Sequence, residues 1–196
     1  MAPAQVRIVP ELPDCLPRRG NAFSKAVSRA LLAAWGWRVE GEFPRVPKMV
    51  AIVAPHTSNW DFIVGILAVF AIGIRVRFLG KHTLFNPWIG WLMRWFGGIP
   101  VNREAPQGLV AQAVEAIERT PNIFLAITPQ GTRRGTQWKS GFYRIAVDAR
   151  VPIFPIIFDG PNRRIRFLPA FEPSGDYEAD LPKLLALYEG VRGLKP

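Results

Sequence analysis

His56 and Asp61 stand five positions apart in Pro55-His56-Thr57-Ser58-Asn59-Trp60-Asp61, between an apolar run ending at Ala54 and a longer one beginning at Phe62. On a regular helix that offset turns about 140° around the axis, so the two side chains would not share a face. They can meet if His56 stays in the loop and Thr57 or Ser58 caps the helix. Asp61 then falls in the first turn and can accept a hydrogen bond from one imidazole nitrogen, leaving the other as a base directed at a cleft. Such a pair removes a proton from a hydroxyl without a protein nucleophile, and amides at the helix start can stabilise a developing oxyanion. The same residues also admit a structural role. Ser58-x-x-Asp61 has the spacing of a capping box, in which Asp61 serves backbone donors and His56 is an ordinary loop residue.

A second group, Thr128-Pro129-Gln130-Gly131-Thr132-Arg133-Arg134, follows another apolar run. A glycine turn with a hydroxyl and two arginines presents backbone donors and a guanidinium fork to a phosphate. It is not a Walker loop, for no Gly-Lys-Ser/Thr follows at the required spacing. The plain alternative is a solvated basic turn. Lys81, after a third apolar run, is expected to face the same cleft as His56. Cys15 and Ser58 lack the setting of a nucleophile. His82 reads as a surface or packing residue, and Arg163, Arg164 and Arg166 as a solvated strand edge.

The elements that must hold these groups alternate. Runs 49–54, 76–79, 123–127, 153–158 and 165–168 have the apolar, β-rich character of strands, several of them apolar on both faces as a covered sheet requires. Helices are predicted over 59–72, 87–96, 106–119, 141–149 and 179–188. The alternation predicts the α/β class, with a mixed, largely parallel sheet flanked by helices. His56 then lies at the carboxyl end of a buried strand, where open α/β sheets place ligands. Pro3, Pro10, Pro13 and Pro17 predict an extended arm, and the spacing of Phe23, Val27, Ala30, Leu31 and Ala34 an amphipathic helix with Lys25 and Arg29 on its other side. The chain divides at that point into an arm and membrane-associating helix, 1–45, and a catalytic α/β domain, 46–196. Trp88, Ile89, Trp91, Leu92, Trp95 and Phe96 trace a second stripe. With Trp35 and Trp37, these two segments hold five of the seven tryptophans, a residue that favours the membrane–water boundary. The stripe therefore reads as interfacial in preference to core.

Composition narrows the classes. The 196 residues carry 25 Lys plus Arg against 15 Asp plus Glu, a net charge of +10, which draws the protein to an anionic partner: nucleic acid, a membrane surface or a phosphorylated substrate. One cysteine and two histidines exclude a disulfide scaffold and a His-rich metal site. The longest uncharged apolar run, 62–74, falls short of the roughly 20 residues of a spanning helix. The first 20 residues lack the unbroken apolar stretch of a secretory signal, so the cytosol or the cytoplasmic face of the membrane is the expected location.

In order along the chain, these segments resemble the glycerolipid acyltransferase family, typified by the lysophosphatidic acid acyltransferases. His56 and Asp61 match its His-x4-Asp motif; Gly98-Ile99-Pro100-Val101-Asn102-Arg103 is similar to its second block, and Pro129-Gln130-Gly131-Thr132-Arg133 to its Pro-Glu-Gly-Thr-Arg block. Val151-Pro152-Ile153-Phe154-Pro155-Ile156 looks like its fourth. The resemblance implies a glycerol-3-phosphate acyltransferase-like fold and transfer of an acyl chain from coenzyme A or acyl carrier protein to a lysophospholipid hydroxyl, lysophosphatidic acid first. It also implies His56 as general base and Asp61 as its orienting partner. Arg133, with Arg103 and Lys81, would hold the acceptor phosphate, while Gly131 and Thr132 shape the loop. Attack on a thioester needs a base and an oxyanion site, and no metal or redox cofactor is expected. One departure stands out: the family's glutamate in the third block is Gln130 here, which removes a charge and keeps a hydrogen-bonding side chain. A basic nucleic-acid-binding domain and a catalytically silent membrane-binding homologue remain as alternatives.

Overall fold

Residues 9–55, 58–102, 108–130 and 137–193 are described by a computed structural model. Seven strands form one sheet: β1 (Arg38–Glu40), β2 (Lys48–Ala54), β3 (Val76–Lys81), β4 (Gly98–Val101), β5 (Ile123–Ile127), β6 (Ile153–Asp159) and β7 (Arg164–Phe167). Their order is β1-β7-β6-β2-β5-β3-β4. The ladders from β6 across to β4 are all parallel, while β7 runs antiparallel to β6 and pairs in parallel with β1. Helices α1 (Ala22–Ala34), α2 (Asn59–Ile72), α3 (Gly90–Trp95), α4 (Gly108–Glu118), α5 (Gly141–Asp148) and α6 (Tyr177–Ala186) complete the described elements. This is the mixed, largely parallel α/β architecture that the alternation predicts.

The two-residue period of β2 divides the core. Met49 and Ala51 face a cluster containing Leu32 of α1 and Val64, Ala68, Ala71 and Ile72 of α2. Val50 and Ile52 face the opposite cluster, with Ala113 and Ile117 of α4, Phe142, Ile145 and Ala146 of α5, and Leu184 of α6. Chain leaves β2 toward α2 on one face and the neighbouring β5 toward α5 on the other. Two adjacent parallel strands whose connections part in this way open a crevice at their carboxyl ends.

Two strands escape the sequence pattern. β1 has three residues and only Val39 buried, too short for an alternation to register. β4 contains Gly98 and Pro100, and it pairs with β3 alone, so the amide that proline lacks costs no ladder bond in the sheet's interior. The helix expected over 87–96 is a correction: a 3₁₀ turn (His82–Phe85) precedes it, and Asn86 Oδ1 accepts from the amides of Trp88 and Ile89, which delays α3 to Gly90. The expected solvated edge at Arg163, Arg164 and Arg166 is a second correction. β7 is an inner strand covered by β1, with Arg164 ion-paired to Glu40 and Arg163 Nη1 donating to Trp35 O at 2.9 Å.

The N-terminal segment packs into the same core. Val9, Leu12 and Leu16 are buried, Arg19 N–H donates to Gly73 O at 2.7 Å and Arg75 N–H to Pro17 O at 2.8 Å. Gly73 ends α2 with φ +84°, a left-handed conformation that favours glycine. The basic side of α1 lies against the carbonyl end of α2, where Arg29 Nε donates to Ala71 O at 2.9 Å. Phe23, Val27 and Leu31 are thereby turned outward, exposed.

Asp180 ties α6 to α5. Buried, it accepts from Ser174 N–H at 2.7 Å, Tyr143 Oη–H at 2.7 Å, Ser174 Oγ–H at 2.8 Å and Lys183 Nζ at 2.9 Å. The Ser174 amide foremost, outweighing desolvation, holds its carboxyl well below the usual carboxylate range. A depressed folded value contributes stability that is complete above the unfolded value, about pH 4, and is lost as pH falls through the folded one. Thermal midpoints measured from pH 7 down to pH 2 are therefore expected to fall more steeply in the wild type than in Asp180→Asn, the two curves converging in acid.

Candidate active site

Ser58 in extended backbone caps α2: its Oγ accepts from Trp60 N–H at 3.2 Å, and its own N–H donates to Asp61 Oδ2 at 2.7 Å. The capping box expected from the spacing is thus formed. It fixes the Asp61 carboxylate, 4 % exposed, in the first turn of α2. A carboxylate has about four lone-pair sites, so serving a helix cap and orienting an imidazole are compatible.

Asp61 lines a cavity of about 550 Å³ between α2 and the sheet. Along α2 its wall includes Asp61, Gly65, Ala68, Val69 and Ile72, which repeat at three and four residues, with Phe62 and Ile66 beside them. The sheet supplies Phe78, Phe124, Ala126, Ile156 and Phe158. From Asp61 to Ile72 the helix rises about 16 Å. Polar side chains in the lining are confined to Asp61, Thr128 and Lys139, all contributed from the carboxyl-end loops and the start of α2. The cavity is therefore an apolar slot with a polar mouth, and its length is close to half of a bilayer's roughly 30 Å hydrocarbon core, the depth reached by one leaflet's acyl chains.

Of the residues singled out by sequence, Asp61, Lys81 and Gln130 are described, whereas His56, Arg103, Gly131, Thr132 and Arg133 lie outside the described residues. Lys81 ends β3 at the same carboxyl edge of the sheet, exposed, but it lines neither cavity. Gln130 lines a different cavity, of about 480 Å³, on the α5 and α6 side. Sequence reasoning missed Lys139, Trp138 and the segment around Tyr188. A lysine directly before a helix start was the available signal, and no spacing tied it to His56. His82 is exposed at the 3₁₀ turn, as expected.

Three tryptophans of the stripe are open to solvent: Trp88 at 86 %, Trp91 at 65 % and Trp95 at 55 %. Phe23 and Leu31 of α1 and Trp60, Phe62 and Ile63 of α2 are exposed as well. A patch of this character marks an interaction surface rather than a core. Arg19 packs against it, its guanidinium 4.2 Å from the Trp95 ring centroid.

Residues 37–159 match the Acyltransferase family. The chain belongs to that family. The matched span encloses β2, the head of α2, the apolar slot's mouth and Gln130, and it ends before α6. Among curated acyltransferases, the 1-acyl-sn-glycerol-3-phosphate acyltransferase of Streptococcus pneumoniae is 28% identical over 142 residues, 68% of this chain and 53% of that protein. The enzyme of the same name from Limnanthes alba is 25% identical, over 74% of this chain and 53% of that protein. The mouse alpha form is 27% identical over 92% of this chain and 72% of its own length. The chain spans about half the length of the first two. The crystal structure of the 1-acyl-sn-glycerophosphate (LPA) acyltransferase of Thermotoga maritima has the same fold, with a TM-score of 0.61 at 18% identity over 84% of this chain and 74% of that one.

Proposed function

We propose that this protein transfers a fatty acyl chain from a thioester donor, acyl-coenzyme A or acyl carrier protein, to the hydroxyl of a lysophospholipid, with lysophosphatidic acid the leading acceptor. The observation that carries the reading is the buried Asp61 carboxylate at the polar mouth of an apolar slot as long as an acyl chain. Family membership and the names of the relatives supply the acyl transfer and the acceptor.

In the proposed reaction His56 takes the proton of the acceptor hydroxyl, with Asp61 orienting the imidazole and stabilising its charge. The acceptor oxygen adds to the thioester carbonyl. Collapse of the tetrahedral intermediate breaks the carbon–sulfur bond, and the thiolate takes the proton from His56. Arg133 and Arg103 on the phosphate-binding loops, with Lys81 at the rim, pair with the acceptor phosphate, while Gly131, Thr132 and Gln130 shape and line the loop. No metal or redox cofactor takes part in this sequence.

The outward tryptophans support work at an anionic membrane surface, as a peripheral or monotopic protein at its cytoplasmic face, since Trp and basic side chains together suit the headgroup layer. Among the described residues no helix is long and apolar enough to cross a membrane. Exposed Trp shares its surface with Leu, Ile and Phe rather than alternating with Arg and Lys, which weighs against base stacking and a nucleic-acid partner.

The test is thiol release from a long-chain acyl donor, with lysolipid acceptors presented in anionic vesicles and protein recovery in the vesicle pellet measured alongside. Acceptor-dependent release, falling by about 10²–10⁴-fold in folded His56→Ala, is expected. Equal silence of both proteins on every donor and acceptor, with vesicle binding intact, would favour the silent membrane-binding homologue.

A further inference from the structure

The slot shares a wall with the second cavity. Pro55, at the end of β2, lines both. Pro129 and Lys139 face the apolar slot, while their chain neighbours Gln130 and Trp138 face the cavity of about 480 Å³. Lys139 N–H donates to Pro129 O at 2.9 Å, fastening the two segments into a partition one residue thick. The far wall is the C-terminal segment, with Leu185, Ala186, Tyr188 and Glu189. Tyr188 anchors it, its hydroxyl donating to Ile52 O at 3.0 Å and its ring edge-on to Trp138 at 5.0 Å.

We propose that this second cavity receives the pantetheine arm of the acyl donor, the neutral diamide chain that coenzyme A and acyl carrier protein have in common. The inference rests on the proposed acyl transfer. A thioester has two limbs diverging from one carbonyl, and two cavities that meet at a thin partition beside Pro55 can take one limb each. The slot is apolar and suits the acyl limb. The second cavity differs in chemistry: among the described residues that line it none is Lys or Arg, and Glu189 places a carboxylate in it. Among the described lining residues a phosphate would meet a carboxylate and no cation, which favours a neutral occupant.

The pantetheine arm carries two amides separated by methylenes and a dimethyl group, and no charge. Such a chain needs aliphatic and aromatic walls with a few two-way hydrogen-bonding groups. Leu185, Ala186 and the Trp138 and Tyr188 rings provide the walls. The Gln130 amide both donates and accepts, and the Trp138 indole donates; neither side chain makes a hydrogen bond among the described residues. A glutamine in place of the family's glutamate fits an amide ligand. The far wall, residues 182–191, lies beyond the span matched by the family, so this cavity is completed by a segment outside it.

Ala186→Trp tests the assignment. Ala186 is exposed at the end of α6, so the ring can enter the cavity without displacing core. The expected result is a KM for the acyl-coenzyme A donor raised by about tenfold or more, with acceptor KM within about twofold. With an N-acetylcysteamine thioester, which lacks most of the arm, variant and wild type should be alike. Acceptor KM rising in place of donor KM, or an equal defect with the truncated thioester, would overturn the proposal. Leu185→Trp serves if Ala186→Trp fails to keep the wild-type circular dichroism and thermal midpoint. Calorimetric titration of pantetheine separates this from the function: binding in the wild type and loss in Ala186→Trp supports the cavity even without turnover, and turnover without pantetheine binding sinks it. Comparing holo- with apo-acyl carrier protein, and coenzyme A with its adenosine bisphosphate portion, identifies which carrier brings the arm.

Discussion

Asp61→Asn is expected to lower kcat by about 10²–10⁴-fold while the protein stays folded. The substitution separates the two roles that one carboxylate can hold. Asparagine keeps an oxygen that accepts from Ser58 N–H, so the capping box survives. What disappears is the negative charge that would orient a neutral imidazole and stabilise it once protonated. Losing that charge in the first turn of α2 removes its interaction with the helix dipole, about 0.3–1 kcal/mol, a midpoint shift of a few degrees in a chain of this size. Asp61→Ala, which loses the cap as well, should be less stable and no more active. Kinetics and melting curves on the two variants are the measurement. If Asp61→Asn retains near-wild-type kcat, Asp61 is a helix cap and the proposed dyad falls.

The logic of that experiment was visible in the chain before any fold was known, because Ser58-x-x-Asp61 supports both readings and the structure realises the capping one. Local sequence could also place α2, since an apolar stretch opened by a capping serine and closed by Gly73 has both ends marked. β5 was legible throughout because a buried central strand is apolar on both faces. Elements stabilised by neighbours rather than by their own pattern were not. β1 exists because β7 offers it a ladder, and β4 because it can hide Pro100 on an edge. The second cavity was beyond reach for the same reason. Gln130 and Glu189 are far apart in the chain, and only the return of the C-terminal segment across β2 through Tyr188 brings them to one cavity.

The exposed stripe shows where pattern and function part. A helical row of Trp, Ile and Leu ordinarily announces core, and α3 is instead displayed to solvent. The α1 row behaves likewise: its basic side finds partners in the carbonyl end of α2, so its apolar side must face out. Periodicity tells which residues share a face, and only the partners on each side decide which face is covered.

The apolar slot yields the second large effect. Gly65 lies mid-way along α2 on the slot's wall, and a Cβ built there would meet nothing within 4 Å. Glycine inside a helix costs roughly 1 kcal/mol relative to alanine, and here neither a positive φ nor a close backbone approach requires it. The open space beside it belongs to the slot. Gly65→Leu should therefore stabilise the protein, by better helix propensity and by apolar burial of about 0.8 kcal/mol per methylene, moving the midpoint up by a few degrees. The same side chain occupies the path of an acyl chain past the middle of the slot. Excluding even one methylene from a fitted apolar site costs about 10–200-fold in kcat/KM, so long-chain donors should lose at least that much while donors short enough to stop before Gly65 lose little. Measuring kcat/KM across a series of acyl-chain lengths, with thermal midpoints on the same preparations, gives the answer. A more stable variant with an unchanged chain-length profile would mean that the slot does not hold the acyl chain, because a destabilised fold could not be blamed and the only change made was to fill it.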